Sequence, residues 1–208
     1  MRLILVDRGQ ELCEVLRWQF RSHPEVQIVC GRFEELPNFD CVVTAGNSFG
    51  LMDAGMDLAV VRYFGRHVME PIQKRILERY LGEQSVGTCI IVPTDHPTHP
   101  FVAHAPTMRV PMNIQNTDHV YLAMWATLTA VHHHNQIESR KIDTLACPGL
   151  GTGTGGMDVT EAALQLFLAY EHYIHPPQFL NSSVAQERHE RIHYGGRWGF
   201  LNPRKSAP

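Results

Sequence analysis

The sequence predicts a layered α/β domain, and three features carry that expectation. Apolar runs of strand length alternate with stretches of helical periodicity along most of the chain. Two glycine-rich segments each lie between a strand pattern and a helix pattern. With 208 residues, 44% of them hydrophobic, the chain is long enough for one substantial core and too short for two comfortable ones.

"LILVD" (Leu3 to Asp7) reads as a buried strand, and Gln10 to Phe20 follows with Leu12, Val15, Leu16 and Phe20 near helical spacing. "VQIVC" (Val26 to Cys30) and "CVVTA" (Cys41 to Ala45) are the next two strands. Helical material is expected from about Asp57 to Leu81, broken or kinked where Pro71 enters. Thr88 to Pro93 and Phe101 to Pro106 form a strand pair joined by a turn rich in His and Pro. Asp118 to His134 is the clearest helix, with Thr117 as its N-cap. Ile142 to Gly149 is the sixth strand, and a helix from about Thr160 to Tyr173 closes the domain. The domain therefore spans residues 1–175, and 176–208 form a polar C-terminal extension. That extension is either disordered or laid over a surface, with Tyr194, Trp198 and Phe200 as its anchors.

A formal net charge of -3 supplies no basic field for sequence-independent binding of nucleic acid. The five cysteines (Cys13, Cys30, Cys41, Cys89, Cys147) are odd in number, lack a C-x-x-C pair and mostly lie in apolar runs, as expected of small core residues in a reducing compartment. No apolar segment reaches the roughly 20 residues of a membrane span, and the N-terminal run is too short for a signal peptide. A soluble, cytoplasmic protein is expected.

The two glycine-rich segments are the candidate site. In the first, Gly46-Asn47-Ser48 follows a strand and leads through Gly50, Asp53, Gly55 and Asp57 into a helix. The second, "PGLGTGTGGMD" (Pro148 to Asp158), holds five glycines and two threonines between the last strand and the last helix. Glycine allows close approach of backbone N–H groups to a ligand, and a helix N-terminus favours an anion. Two such loops at strand ends suggest a cradle for phosphate or diphosphate; either alone is equally a tight turn. Neither is a P-loop, since no Gly-Lys-Ser/Thr follows, and Gly149-Leu150-Gly151-Thr152-Gly153 lacks the downstream acidic residue of a dinucleotide fold.

With "AGNSFGLMDAGMD", "CPGLGTGTGG" and "VAHAPTMRVP", residues 1–173 resemble the macrodomain family, in the variety found in some bacterial and phage proteins. The resemblance implies a three-layer α/β/α fold with a mixed sheet of about six strands, and ADP-ribose or an ADP-ribosylated macromolecule as ligand. It implies that Asn47 bonds the distal ribose and that Asp57 orients or activates a water near the anomeric carbon. Gly46, Ser48 and Gly55 would lie along the ligand, and Gly149, Leu150, Gly151, Thr152, Gly153 and Thr154 would close over the diphosphate. Two positions depart from the pattern: Gly31-Arg32 stands where many members have Gly-Asp for the adenine, and Gly and Thr replace an aromatic in the second loop.

From the residues themselves, cleavage of such a linkage needs a carboxylate beside the anomeric carbon and neutral donors for the hydroxyls. Asp57 and Asn47 are of those types, and Asp53 is a second carboxylate able to act as base or to raise its neighbour's pKa; helix capping is the alternative for both aspartates. Arg109 either meets a phosphate at the rim or forms a structural ion pair. Neither a metal nor a cofactor is expected. His132, His133 and His134 diverge by about 100° per residue on a helix, His189 and His193 have i, i+4 spacing but polar flanks that make chance the expected reading, His96 and His99 are expected in an exposed turn, and His104 as a satisfied core residue. Cys147 has no basic neighbour to make it a nucleophile. Three readings stay open: a hydrolase of an ADP-ribosyl or phosphoryl linkage, a non-catalytic ADP-ribose-binding module, and a phage-type assembly protein that keeps the fold.

Overall fold

The computed structural model describes residues 1–192. Its strands are β1 (Arg2–Asp7), β2 (Gln27–Cys30), β3 (Cys41–Thr44), β4 (Ile90–Pro93), β5 (Phe101–His104) and β6 (Thr144–Pro148), and they form one sheet in the order β2-β1-β6-β3-β5-β4. All pairings are parallel except β4 with β5, which makes the sheet mixed. The helices are α1 (Gln10–Gln19), α2 (Gly55–Phe64), α3 (Met69–Tyr80), α4 (His119–Ile137), α5 (Val159–Ile174) and α6 (Ser182–Arg191).

The period-2 alternation of the strands builds two cores. Leu3, Leu5, Cys41, Val43, Leu145 and Cys147 face α1, α4 and α5, whereas Ile4, Val6, Val42, Val102 and Ala146 face α2 and α3. The result is a three-layer α/β/α domain. Strands β1, β3 and β6 are apolar on both faces because both are covered, which is why they read as continuous apolar runs rather than alternating ones.

Four local expectations are corrected. The break in the second helical region falls at Gly65 and not at Pro71: Gly65 has φ 101° and ψ 159°, while Pro71 is the third residue of α3, where its missing N–H has no intrahelical acceptor to lose. α4 starts one residue later than expected, with Asp118 at the N-cap, and Thr117 Oγ1 accepts the His119 N–H at 3.4 Å. Cys30 is exposed, because β2 is an edge strand, and Cys89 is half-buried; Cys13, Cys41 and Cys147 are core residues. His99 is buried rather than exposed, stacked on Phe39 with ring centroids 3.8 Å apart and bonded through Nδ1 to the Phe39 carbonyl.

After α5 the chain forms α6. Asn181 caps it by accepting the Val184 N–H at 2.9 Å, and Arg188 lays its guanidinium 5.2 Å from the Trp125 ring of α4 while donating to the His172 carbonyl of α5. Tyr194, Trp198, Phe200 and His193 lie outside the described residues. No helix among the described residues is long and apolar enough to cross a membrane.

Gly65 occupies a region of backbone space that strains any residue with a Cβ. Gly65→Ala is expected to lower unfolding stability by about 1–3 kcal/mol, read as a reduced urea midpoint at unchanged slope.

Candidate ligand-binding and catalytic site

Because β1, β3, β5 and β6 run in the same direction, their carboxyl ends share one edge of the sheet, and a cleft of about 620 Å³ opens there. That volume suits a nucleotide-sized ligand. The turn after β1, the segments after β2, β3 and β5, the N-terminus of α2 and the loop after β6 line it.

The first glycine-rich loop is shaped by Asn47. Its Oδ1 accepts the Phe49 and Leu51 N–H groups at 3.0 and 3.4 Å, and its Nδ2 donates to the Leu51 carbonyl at 3.0 Å, leaving one amide proton for the cleft. Ser48 is buried behind it, its N–H bonded to the Met108 and Arg109 carbonyls, each at 3.1 Å. The loop then enters α2 with Ala54 at the N-cap and no side chain capping the helix. Neither Asp53 nor Asp57 therefore serves as a cap.

Asp57, in the first turn of α2, is turned down onto the sheet. It is 6% exposed and accepts a hydrogen bond from Thr44 Oγ1 of β3. Burial, reinforced by the negative charge of Asp53, pushes its carboxyl up from 3.8 to about 7. A carboxyl at that value is half ionised at neutral pH, as suits a general acid or base. Asp53 is exposed on the cleft wall. Gly46 covers this group closely: a Cβ there would sit 2.4 Å from His104 Nε2 and 2.9 Å from Asp57 Oδ2.

The second loop supplies donors. The backbone N–H groups of Gly151, Thr152, Gly153, Thr154 and Gly155 find no acceptor among the described residues, and all five residues line the cleft. Consecutive open amides make an anion-binding concavity, and the N-terminus of α2 adds its dipole nearby. Gly149 is different, because its N–H is bonded to Asp7 Oδ2 at 3.2 Å, while Asp7 Oδ1 accepts the Gly9 N–H at 2.7 Å. Asp7 thus ties the turn after β1 to the loop after β6.

Of the residues singled out from sequence, Gly46, Asn47, Asp53, Gly55 and Asp57 meet Gly149, Gly151, Thr152, Gly153 and Thr154 around one cleft. Three others do not line it. Leu150 is a fully buried core residue, Ser48 faces inward, and Arg109 is held in a two-point ion pair with Glu83 at 2.8 and 2.9 Å. Arg8, Phe33, Arg62 and Thr107 line the cleft without having been expected to, and Arg32 lines it at the position that departs from the family pattern. The turn "DRG" at Asp7 to Gly9 is the readable signal, since it too joins a strand to a helix. His104 is buried as expected yet only half satisfied: Nδ1 is bonded to Gln84 Oε1, whereas Nε2 has no partner among the described residues. The Cys147 thiol is pushed far up by burial, which argues against a nucleophilic role. No group of three or more His, Cys, Asp or Glu among the described residues is arranged to hold a metal.

Two outcomes follow from this packing. Gly46→Ala drives a methyl into a buried ring with no room to turn and is expected to cost about 1–3 kcal/mol in denaturant unfolding. Asp57→Asn should stabilise the fold, and the gain should depend on pH. With the folded carboxyl raised to about 7, the native state holds a proton that the unfolded chain releases near 3.8, so wild-type stability falls as pH rises through that window. The melting temperature of the variant should exceed that of wild type by an amount that grows from about pH 4 to pH 7 and then levels off.

The model of the Macro domain family matches residues 43–166. An uncharacterized protein of Aquifex aeolicus is 30% identical over 139 residues, covering 67% of this chain and 76% of that protein. Among solved structures, the macrodomain of Mycobacterium tuberculosis DarG superposes with a TM-score of 0.57 at 20% identity, over 68% of this chain and 87% of that one. A point variant of the Oceanobacillus iheyensis macrodomain with ADPR gives 0.55 at 19% identity, over 67% and 73%. The glycine-rich loop after β3, strands β4, β5 and β6 and the loop after β6 fall within the matched span, and the chain belongs to the Macro domain family.

Proposed function

We propose that the cleft binds ADP-ribose, free or attached to a macromolecule, and that Asp57 directs a water onto the anomeric carbon to hydrolyse the ADP-ribosyl linkage. One observation carries the reading: five consecutive open N–H groups and a buried carboxyl raised to about 7 stand on the same cleft. The amides of Gly151 to Gly155 and the N-terminus of α2 receive the diphosphate. The remaining Nδ2 proton of Asn47 bonds a hydroxyl of the distal ribose. Ionised Asp57 takes a proton from water as the water oxygen bonds to the anomeric carbon; the bond to the leaving group breaks with its electron pair, and the proton passes on to that group or to solvent. Arg8, Arg32 and Phe33 stand with Asp7 and Glu34 where the cleft passes the ends of β1 and β2, and this mixed wall of charged and aromatic side chains receives the base.

The involvement of Asn47 in its own loop favours a second reading, a binding module without turnover, in which the asparagine is a scaffold. Calorimetric titration with ADP-ribose, followed by release assays on an ADP-ribosylated substrate, tests both. Saturable binding weakened roughly tenfold by Asn47→Ala is expected, with Asp57→Ala retaining binding and losing release. Release by wild type should decline as pH drops below about 7, where Asp57 takes up its proton. Binding without release would leave the module, and no heat with millimolar ligand would end the ADP-ribose assignment.

A further inference from the structure

Beneath the cleft lies a buried polar pair that the proposed reaction does not use. Gln84 and His104 have no exposed surface. Gln84 Nε2 donates to the carbonyls of Thr88 and His104, each at 3.3 Å, which leaves its Oε1 facing His104 Nδ1 at 2.8 Å. An amide oxygen only accepts, so Nδ1 carries the ring proton and Nε2 is a bare lone pair. That lone pair has no partner among the described residues, although its atom is fully enclosed.

Its surroundings are not apolar. The point where a Gly46 Cβ would lie is 2.4 Å from Nε2 and 2.9 Å from Asp57 Oδ2, so the two atoms converge on the space under Gly46. The parallel register pairs Thr44 with His104, which sets the hydroxyl that donates to Asp57 Oδ1 beside the imidazole on the same face of the sheet. One oxygen of the carboxyl thus meets a donor, while the other shares the space under Gly46 with a pure acceptor.

We propose that Gln84 and His104 are positioning residues for Asp57: by fixing the imidazole in its Nδ1–H tautomer, they hold a lone pair toward Oδ2 that favours the protonated carboxyl over the carboxylate. Burial and Asp53 act on Asp57 in the same direction, and burial pushes His104 itself down to about 4, so the ring stays neutral where Asp57 titrates. Asp53 from the preceding loop and His104 from β5 are the ionisable groups set against Asp57. The inference rests on Asp57 being the acid–base group of the cleft, and its first readout is not turnover.

The test is NMR on the full chain labelled with ¹³C at aspartate carboxyls and ¹⁵N at histidine rings, with Asp57→Asn assigning the resonance. In wild type, His104 is expected to show an unprotonated Nε2 and a protonated Nδ1 throughout the neutral range. Gln84→Met and His104→Gln each allow an N–H to turn toward Oδ2, and each is expected to lower the Asp57 midpoint by roughly one unit, with the acidic limb of any turnover profile moving with it. A protonated Nε2 in wild type, or an Asp57 midpoint unmoved or raised in the folded variants, overturns the proposal. Should neither variant fold, the wild-type tautomer decides. The expected tautomer and midpoint shift without turnover would uphold the positioning pair and remove the hydrolase.

Discussion

The molecule depends on β6 lying between β1 and β3. That insertion buries β6 on both faces, aligns its carboxyl end with those of its neighbours and brings residues from opposite ends of the chain to one edge. A parallel sheet covered by helices on both sides cannot extend its loops along the faces, so they collect at the strand ends, where helix N-termini also begin. The hydrogen bond from the Gly149 N–H to Asp7 is the local lock of this arrangement: it joins the first strand-to-helix turn to the last. Loosening it would separate the two walls of the cleft.

Within that frame the cleft divides its labour by chemistry. Backbone amides, which need no side chain and no pKa, form one wall, while the ionisable group lies at the floor, shielded by Gly46 and joined to the sheet through Thr44. Holding a carboxyl at the floor lowers stability at neutral pH, and the fold tolerates that because the rest of both cores is apolar and closely packed. A penalty retained at a cleft while the surroundings compensate is the usual relation between a reactive group and its scaffold.

What can be read in the residues follows from how local each signal is. The strands β1, β3 and β6 are legible because strands covered on both faces leave unbroken apolar runs, and the two loops because glycine clusters after such runs have few other uses. Pro71 outweighs Gly65 in the sequence, since proline is the stronger breaker in isolation; its effect vanishes in a first helical turn, and only the chain path shows which turn it occupies. Arg109 is ambiguous for a related reason: its partner, Glu83, is 26 positions away, and an ion pair across loops leaves no periodic trace.

The amino-acid order alone determined the layered α/β class, the six strands and the two glycine-rich loops that meet at the cleft, because patterning and backbone permissiveness act over a few neighbouring residues. The tertiary structure decided which of those residues face the cleft. It turned Ser48 and Leu150 inward, claimed most of the Asn47 amide for the loop, and paired Arg109 away. It also set His104 against Gly46 and Asp57, through a β3–β5 register that joins Thr44 to a residue far along the chain. Register and burial arise from the packing of the whole sheet, and no window of sequence contains them.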